Sequence, residues 1–426
     1  MRKFTKTNAF FKKAIKLIPL ASQTFSKSHL VYVQGAAPLF LTHGKGAHVW
    51  DVDGNEYVDF VNGLLPLVLG YRYQATDDAV KKQMERGMTF SLPSPLEYEL
   101  ALLLKKHIPC ADMVRYGKNG TDVTSAAIRL ARACTGREHV AVCGYHGWND
   151  WYIGSTTRSL GVPESTKKLT HKFVYNDPDS LEKILRRHKV AAVIMEPMNT
   201  DEPKDGFLKK VKALAHKYGA LLVFDEMITG FRFSLGGAQK LFGVVPDMAT
   251  FGKSIANGMP ISVLAGRRKY MQRVKDIFFS GTFGGEALSI AAAIATIKEM
   301  ERKNVIAALW KKGKYLQDAT RKLLREAGLE SAIRLVGMPC WQLFLFEDAY
   351  GYKALEIKSY LQQEMLQAGF LWSGSHNMSF SHSQQDLDRA LAAYGKIFPR
   401  LKQILLVRHL HRSTKGTPIS NIFKVR

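Results

Sequence analysis

The chain has 426 residues, and its 61 Lys and Arg against 37 Asp and Glu give a formal net charge of +24. Hydrophobic residues make up 46% of the chain and charged residues 23%, ordinary globular values that exclude a disordered, collagen-like or coiled-coil protein. This length is sufficient for two or three domains.

The basic residues are concentrated at the two ends of the chain. Residues 1–50 contain eight Lys or Arg and no acid, and residues 389–426 contain nine and no acid. Such an excess raises the possibility of a nucleic-acid or anionic-membrane partner, because Lys and Arg displace counterions from phosphate. Since residues 51–388 are only mildly basic, this alternative concerns the termini and receives no support from the rest of the chain.

Near the N-terminus, Phe11, Ile15 and Ile18 have helical spacing with lysines between them, which predicts an amphipathic helix over 10–20. We favour a helix packed on its own domain over a targeting or membrane-surface helix. No apolar run approaches the roughly 18–20 residues that span a bilayer. The four cysteines lack C-x-x-C spacing, which favours free thiols in a reducing, cytoplasmic compartment and indicates no metal site.

Residues 39–60 alternate apolar and polar side chains around Asp53, Gly54 and Asn55. This pattern predicts a β-hairpin with a tight turn. We therefore expect residues 1–60 to form an N-terminal segment that consists of a helix and a hairpin.

The following stretch alternates short apolar runs with helical segments. The runs predicted as strands are 113–116, 139–143, 190–195, 220–224, 248–251 and 261–265. The helices predicted between them are 122–134, 178–188 and 207–218. Short buried strands separated by helices indicate a mostly parallel sheet covered on both faces, so we predict a large α/β domain over 61–300.

Beyond this domain, residues 286–327 are predicted to form two long helices. Residues 301–406 mix strands and helices, as expected of a smaller C-terminal α+β domain. Residues 407–426 contain Pro418, several basic residues and little periodicity, so we expect a mobile tail.

Ligands of open α/β sheets bind outside the carboxyl ends of the strands, so the residues that follow each predicted strand are the first candidates for a site. Asn119, Gly120 and Thr121 begin a helix, where free backbone N–H groups can hold an anion, although simple helix capping explains the same residues. Tyr145 and His146 lie between two glycines. The tyrosine can stack on a flat ring or simply be packed.

Two carboxylates and a lysine follow the later strands. Glu196 and Asp225 can each pair with a cation or cap the next helix. The residues Gly252, Lys253 and Ser254 match the end of a P-loop motif. That motif also needs a glycine at position 247, where this chain has Asp247, so we exclude a P-loop. A lysine at a strand end can be a Schiff-base nucleophile when desolvation keeps part of it unprotonated, or it can be an ordinary solvated lysine.

In combination these motifs resemble the class III pyridoxal-phosphate-dependent aminotransferases, most closely the glutamate-1-semialdehyde 2,1-aminomutase branch. The resemblance spans about residues 38–391, and its motifs are WDVDGN at 50–55, NGT at 119–121, YHG at 145–147, EP at 196–197, DEMITGFR at 225–232, FGK at 251–253 and GTFGG at 281–285. It implies a fold-type I transferase, with a mostly parallel central sheet flanked by helices, a smaller α+β C-terminal domain and pyridoxal 5'-phosphate as cofactor.

The resemblance also implies roles for the matching residues. Lys253 would hold the cofactor as a Schiff base and move the proton between substrate and cofactor. Asp225 would pair with the pyridinium nitrogen, and Tyr145 would stack on the ring. Thr282 would reach the cofactor phosphate of the neighbouring subunit, which implies a homodimer with its active sites at the subunit interface.

The remaining matches concern the phosphate and the substrate. Asn119, Gly120 and Thr121 would hold the phosphate at their helix start, although aminomutases have serine at the position of Asn119. His146 and Glu196 would lie beside the cofactor or the substrate.

The sequence departs from the family where arginines bind the substrate carboxylate. Lys27 stands in the stretch that matches the N-terminal arginine of the aminomutase, and no arginine lies between Arg334 and Arg389, where His376 occupies the matching region. Lysine cannot reproduce bidentate carboxylate binding. We therefore expect an aminotransferase that acts on a small-molecule amino donor and a keto or aldehyde acceptor, with an intramolecular aminomutase as the alternative.

Overall fold

The computed structural model describes residues 2–419, which divide into two compact units. Residues 2–73 and 307–419 form one of them, here named the terminal unit, and residues 74–306 form the other, the sheet unit. Within residues 2–419, no helix has both the length and the apolar character that crossing a bilayer requires.

The N-terminal part of the terminal unit contains one α-helix and three strands. These elements are α1 (Thr5–Ala14), β1 (Leu41–Lys45), β2 (His48–Asp51) and β3 (Glu56–Asp59). Three short 3-10 helices lie between α1 and β1, at Pro19–Ala21, Phe25–Lys27 and His29–Val31. The predicted hairpin is thus a three-stranded antiparallel array.

Helix α1 begins and ends about five residues earlier than predicted, because the turn between β2 and β3 caps it. The carboxylate of Asp53 accepts hydrogen bonds from the backbone N–H groups of Lys6 (2.7 Å) and Thr7 (2.8 Å). The ring of Phe10 packs edge-on against Phe40 at 4.7 Å. The helix therefore packs on its own unit, in agreement with the interpretation that we favoured.

The sheet unit is built on a seven-stranded sheet. Its strands are β4 (Met113–Gly117), β5 (His139–Cys143), β6 (Thr170–Lys172), β7 (Val190–Met195), β8 (Leu221–Asp225), β9 (Met248–Phe251) and β10 (Ser262–Gly266). They are ordered β4-β10-β9-β8-β7-β5-β6, and all neighbours are parallel except that β10 is antiparallel to β4 and β9. This confirms the predicted mostly parallel α/β sheet, in which only the three-residue β6 was not predicted.

Ten α-helices accompany this sheet. They are α2 (Gln74–Met84), α3 (Pro95–His107), α4 (Gly120–Thr135), α5 (Asp150–Ile153), α6 (Glu164–Lys167), α7 (Pro178–Arg187), α8 (Phe207–Lys217), α9 (Gly237–Leu241), α10 (Arg268–Met271) and α11 (Ala287–Arg302). Short 3-10 helices lie at Lys253–Ala256 and Gln272–Asp276. Helix α4 buries Val123, Ala127 and Leu130 in the core beneath the sheet, which fixes the direction in which its N-terminus points.

The C-terminal part of the chain completes the terminal unit. Its elements are α12 (Val305–Glu326), β11 (Ile333–Met338), β12 (Trp341–Phe346), α13 (Ala354–Ala368), β13 (Phe370–Leu371), β14 (Ser375–Asn377), α14 (Gln384–Leu406) and α15 (Leu410–Ser413). Strands β11, β12 and β14 form a separate sheet, whereas β13 pairs in parallel with β3. This pairing joins the two ends of the chain in one unit, so the predicted segments 1–60 and 301–406 belong together.

Residues 407–419, the first part of the predicted mobile tail, contact the terminal unit. The backbones of Thr417 and Gln34 exchange two hydrogen bonds of 3.1 and 3.2 Å, and the side chain of Ile419 is buried. The rest of the predicted tail, residues 420–426, lies outside the described residues.

Candidate active site

The polar residues predicted from strand ends lie along one side of the sheet in the sheet unit. We name this set the carboxyl edge: residues 144–148 after β5, residues 196–197 after β7, Asp225 at the end of β8, residues 252–254 after β9, and residues 119–121 at the start of α4. Hydrogen bonds and charge interactions connect these segments, as described below.

Asp225 and His146 form a buried pair at the carboxyl edge. The Nδ1 atom of His146 lies 2.8 Å from Oδ2 of Asp225, and Oδ1 of the same carboxylate accepts hydrogen bonds from Thr250 Oγ1 and Met227 N, both at 3.2 Å. The carboxylate is therefore fixed from three sides. Nε2 of His146 is buried and has no hydrogen-bond partner among residues 2–419.

Glu196 is the second buried carboxylate of the carboxyl edge. Its Oε2 accepts hydrogen bonds from the backbone N–H of Tyr145 (3.0 Å) and from Nδ2 of Asn199 (2.9 Å). Burial raises the pKa of Glu196, and the neighbouring charge of Asp225 raises it further. A carboxyl group so placed exchanges its proton more readily near neutral pH than an exposed one.

Lys253 lies within the electrostatic reach of both carboxylates. Desolvation lowers the pKa of its amine, the charges of Glu196 and Asp225 oppose that shift, and Arg232 reinforces it. Its backbone has φ +41°, a left-handed conformation that costs a non-glycine residue about 1–3 kcal/mol. The half-buried amine is thus closer to its neutral, nucleophilic form than an exposed lysine.

The start of α4 has the features of an anion site. The carboxylate of Asp122 accepts hydrogen bonds from the backbone N–H groups of Lys118 (3.0 Å) and Asn119 (2.7 Å), while the next N–H groups begin the helix and have no intrahelical acceptor. The hydroxyl of Thr121 is buried and has no partner among the described residues. An orphan hydroxyl beside free helix N–H groups suits a phosphate.

Two glycines hold the loop after β5 close to these groups. Gly144 has φ +109°, and a Cβ atom there would collide with the carboxylate of Glu196. Gly147 has φ +105°, and a Cβ atom there would collide with the side chain of Thr121. The loop therefore approaches both the second carboxylate and the phosphate cradle more closely than other residues would allow.

The aromatic and interface candidates are exposed. Tyr145 packs edge-on against Tyr152 with ring centroids 5.6 Å apart, and 47% of its surface remains accessible. Burial of the rest of the side chain raises its pKa, and the charge of Asp225 adds to this effect. Thr282 is exposed and lines a groove of about 420 Å³ together with Lys118 and Asp122.

The sequence analysis assigned no role to two buried charged residues near the site. Glu226 accepts hydrogen bonds from the Thr229 hydroxyl and from the backbone N–H groups of Ala238 (2.6 Å) and Gln239 (2.9 Å). Arg232 lies 3.3 Å from Ser254 Oγ, next to Lys253 in the chain. Both belong to the DEMITGFR motif at 225–232. The sequence analysis used this motif to recognise the family but assigned a role only to its first residue, Asp225.

The two remaining substrate candidates lie in the terminal unit. Lys27 is exposed at the end of the Phe25–Lys27 helix. His376 is buried, with Nδ1 2.9 Å from Gln342 Oε1 and Nε2 2.7 Å from the Tyr394 hydroxyl, and burial lowers its pKa to about 3. Since both of its ring nitrogens are engaged, His376 contributes to the core of its unit.

Comparison with known proteins identifies close relatives over nearly the whole chain. A family model described as aminotransferase class-III matches residues 31–344. The 3-aminobutyryl-CoA aminotransferase of Cloacimonas acidaminovorans is 36% identical over 417 residues, with 95% of this chain and 99% of that protein covered. The glutamate-1-semialdehyde 2,1-aminomutase of Thermus thermophilus is 35% identical over 421 residues, with coverage of 92% and 98%.

Solved structures agree with these relatives. The PLP internal aldimine form of the FumI protein from Sphingopyxis sp. MTA144 superposes with a TM-score of 0.87 at 27% identity, covering 94% of this chain and 97% of that one. A transaminase with PLP bound gives a TM-score of 0.86 at 25% identity, with coverage of 96% and 100%.

Proposed function

Because the chain belongs to the class III aminotransferases and is therefore a pyridoxal-phosphate-dependent enzyme, we propose that it transfers an amino group between an amino donor and a keto or aldehyde acceptor at the carboxyl edge. When bound, the cofactor supplies an electron sink for the carbanion that forms at the substrate carbon. The observation that carries this proposal is the position of the half-buried Lys253 within electrostatic reach of the buried carboxylates of Glu196 and Asp225.

The residues of the carboxyl edge fit this cofactor in the following way. The amine of Lys253 would hold the cofactor covalently and would then move the proton at the substrate carbon. Asp225, fixed by His146, would keep the ring nitrogen protonated. Asn119, Gly120 and Thr121 would bind the phosphate, and Tyr145 would cover the ring. We assign Glu196 to the substrate side, where its raised pKa suits proton exchange.

A single-turnover experiment tests this assignment. Purified holoenzyme mixed with one amino donor and no acceptor should release one equivalent of carbonyl product and keep the amino group on the cofactor. Addition of an acceptor should then restore the starting absorbance. Holoenzyme that releases no carbonyl product with any donor of a broad panel would contradict the transferase proposal.

For the substrate class, we propose an amine whose nearby carboxyl group is masked as a thioester, such as a β-amino acyl-CoA. Related enzymes bind a free substrate carboxylate with arginines. In this chain Lys27 stands in the stretch that matches one of these arginines, and residues 335–388 contain no arginine. One of the most similar relatives is named for a 3-aminobutyryl-CoA substrate.

A matched pair of donors tests the substrate class. 3-Aminobutyryl-CoA and free 3-aminobutyrate carry the same amino group and differ in the masked carboxyl. We expect kcat/KM to be at least about 100-fold higher for the thioester, since binding of the CoA moiety supplies the difference. Equal values, or a preference for the free acid, would contradict the thioester proposal while leaving the transferase proposal intact.

The second candidate is an intramolecular aminomutase, favoured by the 35% identity to the Thermus thermophilus enzyme. Glutamate 1-semialdehyde distinguishes the two reactions. A mutase returns an isomer of unchanged mass, whereas a transferase exchanges the amino group for a carbonyl oxygen and releases a product of different mass.

We further propose that the enzyme is a homodimer that shares its active sites and works in a reducing cytoplasm. Phe278 and Phe283 flank Thr282 and are 81% and 58% exposed, which is unusual for aromatic residues unless a partner covers them. The four cysteines form no disulfide among the described residues. Light scattering measures the dimer mass.

Subunit hybrids test the shared site. Mixing Lys253→Ala with Thr282→Ala subunits should give more activity per intact Lys253 than Thr282→Ala has alone, because one site of each hybrid then contains both intact residues. No such gain in verified hybrids would contradict a role for Thr282 across the interface.

A further inference from the structure

Three histidines from separate elements of the sheet unit converge near the amino ends of β5 and β7. His139 is the first residue of β5, His171 is the middle residue of β6, and His188 follows the last residue of α7. One ring nitrogen from each lies within 4.8 Å of the corresponding atoms of the other two. We name His139, His171 and His188 the histidine cluster.

The topology of the sheet brings these residues together. Strand β5 lies between β6 and β7, and all three run in parallel. In this register His139 pairs with Val190, which is two residues beyond His188, while His171 pairs with Ala141 on the other side of β5. Two strands of the sheet therefore hold His139 and His171, and His188 lies in the two-residue connection between α7 and β7.

The geometry suits a metal ion with nitrogen ligands. Nδ1 of His139 and Nε2 of His171 are 3.0 Å apart, close to the roughly 3.3 Å between two ligands of a tetrahedral ion with metal–nitrogen distances of about 2.0–2.1 Å. His188 stacks on His171 with ring centroids 4.0 Å apart. The terminal torsion of a histidine side chain is broad, so the three imidazole rings can turn toward a shared ion.

No carboxylate among the described residues competes for the ring nitrogens of the cluster. Within residues 2–419, none of the three histidines forms an ion pair with a carboxylate, in contrast to His146 or His216.

We propose that the histidine cluster binds one divalent first-row transition-metal ion, such as Zn²⁺, through one nitrogen of each imidazole. Imidazole is a preferred ligand of Zn²⁺, Co²⁺, Ni²⁺ and Cu²⁺. The three residues are only half-buried, so water completes the coordination. The ion ties β5 and β6 to the start of β7. This site is separate from the carboxyl edge, because the five residues of β5 place about 13 Å between its two ends.

Metal titration of the holoenzyme tests the proposal. Tag-free protein, freed of metal with a chelator, is titrated with Zn²⁺ by calorimetry and with Co²⁺ by visible absorption, which reports nitrogen coordination at wavelengths beyond the cofactor band. We expect one ion per chain and a rise in melting temperature. No binding by the folded wild-type holoenzyme would overturn the proposal.

Substitutions locate the ion. His188→Gln keeps a hydrogen-bonding side chain but removes a ligand, and it should weaken Zn²⁺ binding by more than the about 10–100-fold that loss of an outer-shell partner costs. His171→Gln should act similarly, and each variant's fold is checked by its metal-free melting curve. His43→Gln removes an exposed imidazole of the terminal unit and should bind Zn²⁺ as tightly as the wild type.

The cofactor itself can bind metal ions, so Lys253→Ala provides a further control. We expect this variant to keep the Co²⁺ absorption bands. Loss of the bands in Lys253→Ala, or their persistence in both His188→Gln and His171→Gln, would overturn the proposed site.

Discussion

The carboxyl edge and the histidine cluster lie at opposite ends of β5, and they differ in how their buried polar side chains are stabilised. At the carboxyl edge, Lys253 is surrounded by the carboxylates of Glu196 and Asp225, so opposite charges offset part of the desolvation cost. The cluster places three bases of one kind together without an ion pair among the described residues. At the carboxyl edge, opposite charges determine which side chains carry a proton, as proton transfer requires. In the cluster, three imidazoles together can offer nitrogen lone pairs to a cation.

The backbone differs between the two sites as well. At the carboxyl edge, Gly144, Gly147 and Lys253 all have positive φ, whereas His139 and His171 lie in regular strands. Strain concentrates where residues must approach a reacting group. The substitutions below act on the carboxyl edge and reveal whether its function depends on the charges that distinguish it from the cluster.

The largest effect is expected from Lys253→Ala. Since the lysine both holds the cofactor and moves a proton, its loss should remove covalent attachment and lower kcat by at least about 10⁴-fold. Absorbance of the purified protein and steady-state kinetics measure the two effects. Lys275→Ala, at an exposed position of the same unit, is the matched control. Full activity of Lys253→Ala would refute the mechanism.

Asp225→Asn should have the next largest effect. The amide keeps the shape of the carboxylate but replaces one acceptor oxygen with an NH2 donor and removes the charge that keeps the ring nitrogen protonated, so kcat should fall by about 100–1,000-fold. Cofactor content should change little. If kcat changes less than about 10-fold, the buried pair with His146 serves the fold alone.

Thr121→Val tests the orphan hydroxyl. A hydrogen bond to a charged group contributes about 1.5–3 kcal/mol, so cofactor affinity should fall about 10–100-fold. The apo-protein should keep its melting temperature, because the lost hydroxyl has no protein partner. In the control Thr124→Val, loss of the 2.8 Å hydrogen bond to the His146 carbonyl should lower apo stability by about 1 kcal/mol. Unchanged cofactor affinity in Thr121→Val would place the phosphate elsewhere.

Glu196→Gln should produce the smallest effect, a shift in pH dependence. The negative charge of Glu196 raises the pKa of Lys253, so removing it lowers that pKa further. The rate at which apo-protein attaches pyridoxal phosphate, which follows the neutral amine, should therefore reach its plateau at lower pH than in the wild type. A shift toward higher pH would contradict the assigned electrostatics.

Prediction from the sequence was most successful where structure follows from local pattern. The strand that ends in Asp225 and the strands that precede Glu196 and Lys253 were located within one residue, because buried parallel strands are short apolar runs. The start of α1 was misplaced, since its cap, Asp53, is contributed by a distant turn.

The histidine cluster left no signal in the sequence. Its members are separated by 32 and 17 residues, a spacing that matches no metal motif. They meet only because β5 lies between β6 and β7, an order that periodicity alone does not specify. The roles of Glu226 and Arg232 were missed for a similar reason, since their partners are set by tertiary packing.

The two glycines of the loop after β5 also determine how this enzyme can diversify. Gly144 and Gly147 are fixed because any side chain would displace Glu196 or Thr121. Trp148, directly after the second glycine, is 69% exposed and has no assigned contact with the cofactor. Directed evolution of substrate preference should therefore accumulate changes at Trp148, while both glycines stay invariant in every active clone.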